Sequence, residues 1–199
     1  MTKIKICGVT NPADIKYLNE LLPGFVMFFE KSHRSISADT AKKLLSQLDR
    51  RIKSVAVTVE PTKKQLDEIY DLGFDYVQIH GNVGEEVIDY SRLPVIRAVN
   101  VSGAESLSNI NSCRNIKGIL FDSHLPGSGK VFDWSLITEI SVTDKTLFLA
   151  GGLTPENVAQ AVKSVHPFAV DVSSGVELAD KSGKDYAKIK KFIENVRKA

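Results

Sequence analysis

Eight short apolar runs alternate with eight helix-like stretches along this 199-residue chain. The runs read as strands at 3–7, 25–29, 52–59, 76–79, 95–99, 118–121, 147–150 and 168–172. Strand followed by helix recurs roughly every 20–30 residues, the size of one βα unit. Such alternation predicts a parallel sheet, because each return to the sheet needs a crossover that a helix supplies. Eight repeats predict that the sheet closes into a (β/α)8 barrel of the TIM type. The rival, an open doubly wound sheet, carries its Gly-rich turn after the first strand. Here Gly151-Gly152 and Ser173-Ser174-Gly175 follow the last two strands. No Gly/Ser- or Pro-rich linker divides residues 1–199, which predicts a single domain.

Local signals place the helices. Asn11-Pro12 supplies an N-cap and a first-turn proline, and Pro23-Gly24 is read as the break that ends that helix. Ser37 caps a helix through about Leu48. Pro61-Thr62 opens another, with Leu66, Ile69, Tyr70 and Phe74 at helical spacing. Further helices are expected at about Gly84–Tyr90, Trp134–Ile140, from Thr154-Pro155-Glu156-Asn157 onward, and from Asp185 to Arg197. The segment Ser102–Arg114 has the weakest pattern.

Composition is that of an ordinary globular chain, and a net charge of +2 gives no push toward nucleic acid or a membrane surface. The cluster Arg50-Arg51-Ile52-Lys53 reads as a solvated face. Two cysteines, Cys7 and Cys113, make no disulfide framework and suggest a reducing compartment. The first residues are too short and too charged for a signal peptide, and no apolar run approaches the roughly 20 residues that span a bilayer. A cytoplasmic protein is expected.

In a barrel of this kind the chemistry sits in the loops after the strands. Those positions hold Cys7, Lys31 to Arg34, His80, Asp122, Gly151-Gly152 and Asp171 to Gly175. The two late glycine and serine loops fall where barrels bind phosphate through backbone N–H groups. Asp122 ends an apolar run, so it must be paired, exposed or protonated, and a protonated carboxyl can serve as a general acid. Cys7 is either a small buried hydrophobe or a thiol with a tuned pKa. The planar fork of Arg34 suits a carboxylate. His33, His124 and His166 lack metal-ligand spacing, so no metal is expected.

Taken together, the motifs resemble those of the phosphoribosylanthranilate isomerase family. They are Lys5-Ile6-Cys7-Gly8, Lys31-Ser32-His33-Arg34, Gln78-Ile79-His80-Gly81, Phe121-Asp122-Ser123, Gly127–Trp134, Ala150-Gly151-Gly152-Leu153 and Asp171–Glu177. They run in family order through nearly the whole chain; each alone is weak and the set is specific. The resemblance implies a cofactor-free enzyme of tryptophan biosynthesis, an intramolecular oxidoreductase of the aldose–ketose type. It would convert N-(5-phosphoribosyl)anthranilate to 1-(2-carboxyphenylamino)-1-deoxyribulose 5-phosphate by an Amadori rearrangement. By the same resemblance, Asp122 is the general acid and Cys7 the general base. Arg34 would hold the anthranilate carboxylate, with His80 and Asp171 on the substrate side. Gly151, Gly152, Ser173, Ser174 and Gly175 would hold the phosphate. The expected partner is one phosphorylated small molecule, with no nucleic acid and no membrane, and the protein would be a monomer or homodimer.

Three segments depart from the family pattern: Phe25-Val26-Met27-Phe28-Phe29, Val55-Ala56-Val57-Thr58-Val59-Glu60, and the loop at Leu125-Pro126. The first two bear on the anthranilate side of the pocket. Two other readings share the phosphate loops: another phosphosugar isomerase or epimerase, and a non-catalytic phosphosugar-binding barrel.

Overall fold

The computed structural model describes residues 1–18, 20–101, 115–123, 131–138 and 144–199. Eight parallel strands form the barrel: β1 (Lys3–Cys7), β2 (Leu22–Met27), β3 (Val55–Val59), β4 (Tyr76–His80), β5 (Val95–Val101), β6 (Ile116–Ser123), β7 (Thr146–Leu149) and β8 (Ala169–Val172). Each pairs with the next, β8 pairs with β1, and the β1–β2 pairing closes the ring. A two-residue strand, Ser35–Ile36, pairs in parallel with the last residues of β2, Val26 and Met27. Helices α1 (Pro12–Ile15), α2 (Ala38–Leu45), α3 (Lys63–Asp71), α4 (Glu85–Tyr90), α5 (Ser135–Thr138), α6 (Val158–Val165) and α7 (Tyr186–Arg197) lie between and after the strands.

The alternation of side chains along each strand separates two apolar layers. Ile4, Ile6, Phe25, Val77, Ile79 and Phe121 face the helices in one cluster, together with Phe192 of α7. Val26, Val57, Ile96, Ala98, Leu120 and Phe148 fill the barrel interior in the other. On β1 this leaves Lys5 and Cys7 facing inward, opposite to Ile4 and Ile6. Phe192 is fully buried, and its truncation to alanine would cost about 3–5 kcal/mol.

The helix starts follow the expected chemistry. The Asn11 side chain accepts from the Ala13 amide at 2.9 Å. Thr62 and Gln65 form a reciprocal capping box at the start of α3. The Asp185 side chain accepts from the Lys188 amide at 3.2 Å to begin α7.

Other boundaries differ from the sequence reading for definite reasons. Strand β2 starts at Leu22 and runs through Pro23-Gly24 instead of beginning at Phe25. Gly24 is therefore not a helix breaker: a Cβ there would lie 2.9 Å from the Lys5 ammonium. The same strand stops at Met27 because Phe28 turns left-handed, with φ of 58°. Strand β3 begins at Val55 rather than Ile52, since the preceding ion-paired turn is polar and exposed. Helix α6 starts at Val158, because Thr154 and Asn157 close a turn of their own, the Thr154 amide donating to Asn157 Oδ1 at 2.8 Å. The segment Ser102–Arg114, Cys113, His124 and the loop from Leu125 to Lys130 lie outside the described residues. Among the described residues, no helix is long and apolar enough to cross a membrane.

Candidate active site

The C-terminal ends of β1, β2, β4, β6, β7 and β8 converge on one mouth. Cys7 closes β1 and is half-buried. Next to it, Gly8 has φ of 71°, and a Cβ there would run into the Arg34 side chain. Glycine is required at that point because Arg34 crosses directly over the end of β1. The Ser173 hydroxyl donates to the Cys7 carbonyl at 3.0 Å, tying the loop after β8 to β1. Asp122 stands near the end of β6, its Oδ1 accepting from the Ser123 amide at 2.7 Å. A Cβ on Gly151 would lie 2.6 Å from the Ser123 amide and 3.3 Å from Asp122 Oδ1, so Gly151 leaves room for the acid.

The barrel interior beneath the mouth is charged. Lys5 is fully buried, and its Nζ donates to Asp171 Oδ2 at 2.9 Å. The parallel register sets Lys5 beside Asp171 on β8. Asp171 is thus occupied by a lysine rather than presented whole to a ligand. Gln78 Nε2 and His80 Nε2 are hydrogen-bonded at 2.6 Å along β4. Burial, with Lys5 and Arg97 nearby, drives the His80 imidazole down to about 3, so it stays neutral.

Burial pushes the Asp122 carboxyl up to about 6, and neighbouring Asp171 adds to that rise while the Ser123 amide and Lys5 oppose it. An acid at that value has the right strength to give up a proton near neutral pH. Burial also pushes the Cys7 thiol up, with Lys5 and Lys184 pulling it back. Both groups therefore rise, and only Asp122 moves toward neutrality.

Arg34 reaches the mouth, but its fork is taken. Its Nε and Nη2 donate to Glu177 at 2.6 and 2.9 Å. Lys184 Nζ donates to the same carboxylate at 3.1 Å and to the Ser173 carbonyl at 3.3 Å. Burial would raise the Glu177 carboxyl, yet the Arg34 hydrogen bonds and Lys184 reverse this and hold it at about 2. Lys5 and Lys184 were missed as site residues. The signal for Lys5 was available, since the period of two that puts Ile4 and Ile6 outside puts Lys5 inside. Lys184 carried no comparable signal, because it lies in a polar loop 13 residues past Asp171.

The two late loops touch. A Cβ on Gly175 would collide with the Leu153 carbonyl oxygen, so the turn after β8 packs on the loop after β7. Gly151 and Gly152 both have positive φ, 86° and 67°. Ser174–Val176 forms one short 3-10 turn. The hydroxyl of Ser173 is already spent on Cys7 and does not face this corner as a donor. Among the described residues, no cluster of three or more His, Cys, Asp or Glu could hold a metal ion.

Residues 4–195 match the family model described as N-(5′-phosphoribosyl)anthranilate (PRA) isomerase. A protein of Clostridium kluyveri named N-(5′-phosphoribosyl)anthranilate isomerase is 41% identical over 203 residues, covering 99% of this chain and 98% of the relative. A Thermotoga maritima structure, described as monomers generated from a dimeric phosphoribosylanthranilate isomerase, superposes with a TM-score of 0.88 at 38% identity over 100% of both chains. A further structure, of the isomerase in complex with reduced 1-(o-carboxyphenylamino)-1-deoxyribulose 5-phosphate, matches with the same TM-score of 0.88, 38% identity and full coverage.

Proposed function

The chain belongs to the phosphoribosylanthranilate isomerase family, and on that footing we propose how its residues divide the work. The enzyme converts N-(5-phosphoribosyl)anthranilate to 1-(2-carboxyphenylamino)-1-deoxyribulose 5-phosphate, an isomerisation of tryptophan biosynthesis. Asp122 is the general acid: its carboxyl protonates the ribose ring oxygen, and the C1–O bond breaks as the anilino nitrogen's lone pair forms the C1=N bond, leaving an open-chain protonated imine. Cys7 is the general base: its thiolate takes the proton from C2, and the electron pair moves onto the imine to give an enolamine. Tautomerisation of the enolamine gives the ketone. No electron leaves the substrate, so no external oxidant or reductant is consumed.

The observation that carries this reading is the pair of titratable groups at one mouth, a thiol on β1 and an acid on β6 raised to about 6. The phosphate would sit at the corner of the two late loops, on the amides of Gly152, Ser174 and Gly175. Ser174 and Gly175 open a short 3-10 turn whose first amides the turn itself does not use. Gly151 serves mainly to leave room for Asp122, and Ser173 to tie the loop to β1. Arg34 would receive the anthranilate carboxylate on its Nη1 edge, because Glu177 holds the other edge. His80, neutral, would orient the sugar. Asp171 would act on the substrate side from beneath, through Lys5. One phosphorylated small molecule is the partner, no nucleic acid or membrane is involved, and a monomer or homodimer working in the cytoplasm is the unit we propose.

The test is turnover of phosphoribosylanthranilate, generated in place and followed by the loss of anthranilate fluorescence. Fast loss that disappears in Cys7→Ser and in Asp122→Asn supports both roles. A wild-type rate in either variant removes that residue from the chemistry.

A further inference from the structure

Lys5 is a fully buried ammonium in a barrel interior whose second apolar cluster includes Val26, Val57, Ala98 and Leu120. Taking an ammonium wholly out of water costs several kcal/mol, and its pairing with a buried carboxylate rarely returns more than that cost. The chain nonetheless makes room for it, since Gly24 is the residue whose Cβ would press on Lys5 Nζ at 2.9 Å. The pairing is also incomplete. Asp171 Oδ2 takes one Lys5 donor at 2.9 Å, while Asp171 Oδ1 is buried with no hydrogen-bond partner among the described residues. An ammonium has three donors, so Lys5 keeps two beyond Asp171. Cys7 lies two residues along the same strand face.

We propose that Lys5 is a positioning residue for the isomerisation: its buried ammonium, anchored by Asp171, is the fixed charge that opposes the effect of burial on Cys7 and favours the thiolate over the thiol. The inference rests on Cys7 being the base. The charged groups that face Cys7 are Lys5 on its own strand, Asp171 on β8, Lys184 in the loop beyond β8, and Arg34 in the loop after β2. Lys184 and Arg34 both spend their charge on Glu177. Lys5 acts on the sulfur by charge and is the strongest influence against the effect of burial, from a place where its Nζ and the Cys7 Cα both border Gly24. Asp171 pushes the thiol the other way. Burial would pull a proton off Lys5, but Asp171 and Cys7 outweigh it and keep the ammonium charged.

The experiment reads the ionisation of Cys7 from the pH dependence of its alkylation by iodoacetamide, in a Cys113→Ser background where Cys7 is the sole thiol. Lys5→Met should raise the Cys7 pKa by about one pH unit or more. Asp171→Asn should lower it, because the opposing charge is gone. The double variant Lys5→Met/Asp171→Asn leaves no lone buried charge, and should show a smaller rise than Lys5→Met. It serves if either single variant does not fold. At neutral pH, kcat of Lys5→Met should fall about tenfold, the change one pH unit implies, with KM nearly unchanged. The ratio of wild-type to variant kcat should shrink only as the pH passes the wild-type thiol value, because Asp122 loses its proton above about 6. An unchanged or lowered thiol pKa in both Lys5→Met and the double variant would overturn the proposal, as would shifts of the same sign in the two single variants. Failure of the underlying reading looks different: Cys7→Ser would keep its turnover, whatever the thiol pKa does.

Discussion

The two ends of the barrel are built from the same eight strands and are opposite in character. At the N-terminal end, the strand starts surround a cavity of about 760 Å³, whose lining includes Leu22, Tyr76, Ile96, Phe148 and Phe168. Its charges are rim charges: Lys53 pairs with Asp75 at 2.7 Å and Arg51 with Asp49 at 2.8 Å, both exposed. Such pairs contribute little, on the order of 0–1 kcal/mol. At the C-terminal end the charges are inside: Lys5, Asp171, Glu177 and Lys184 are all buried. Left-handed residues gather there too, with Phe28, Glu60, Gly151 and Gly152 all just past strand ends. The N-terminal hollow thus lacks the buried charge that gathers at the other end. Buried charge and backbone strain, both costly, mark where the chain trades stability for function.

The sharpest way to break this contrast is to remove the two groups proposed to react. Cys7→Ser and Asp122→Asn should each lower kcat by about 10²–10⁴, as loss of a general acid or base does. Fluorescence-monitored turnover measures it, and a drop of less than tenfold in both would make the mouth no more catalytic than the opposite end.

The second expectation concerns stability. The Asp122 carboxyl has a folded-state value of about 6 against an ordinary 3.8. Its protonated form is favoured by folding, so its share of stability is complete below about pH 4 and lost as pH rises through about 6. The difference corresponds to about 3 kcal/mol. Asp122→Asn should therefore stabilise the fold by up to that amount above pH 6 and by almost nothing below pH 4. Urea unfolding at pH 4 and pH 7.5 reads both; equal effects at the two pH values would show that Asp122 is not strained by burial.

A third measurement is the pH profile of kcat/KM. The acid limb should lie near pH 6, with about a tenfold fall per pH unit below it, and the alkaline limb above the ordinary thiol range. A profile flat from pH 5 to 7 would remove Asp122 as the titrating group. The smallest effect belongs to the other end. Phe168 is 50% exposed. Phe168→Ala should change stability by less than about 1 kcal/mol and leave kcat alone; a large fall in kcat would mean that the two ends are coupled.

The strand and helix order was legible because the pattern repeats, and each repeat constrains the others. Cys7, Asp122 and the late loops were legible because a barrel puts function at strand ends. Lys5 was not, although its inward register could be counted from Ile4 and Ile6. A lysine amid apolar residues reads locally as a solvated strand edge until the sheet is known to close. Gly24 was misread for the same reason, since its lack of a side chain answers to a lysine on a neighbouring strand and not to its own segment. Arg34 was found, but its partner Glu177 is 143 residues away and no local rule links them.

By itself, the sequence determined the alternation of strand and helix, the caps at Asn11 and Ser37, the helix starts at Thr62 and Asp185, and the chemical character of the strand ends. These depend on neighbours within a few residues along the chain, where propensity and hydrogen-bond geometry act. Only the tertiary structure decided that Lys5 meets Asp171, that Arg34 is held by Glu177, and that the Asp122 carboxyl is raised while His80 stays neutral. Each of those depends on closing the ring from β8 to β1 and β2. Closure removes water from the interior and brings charges from distant segments within a few ångströms, where their interaction is strong.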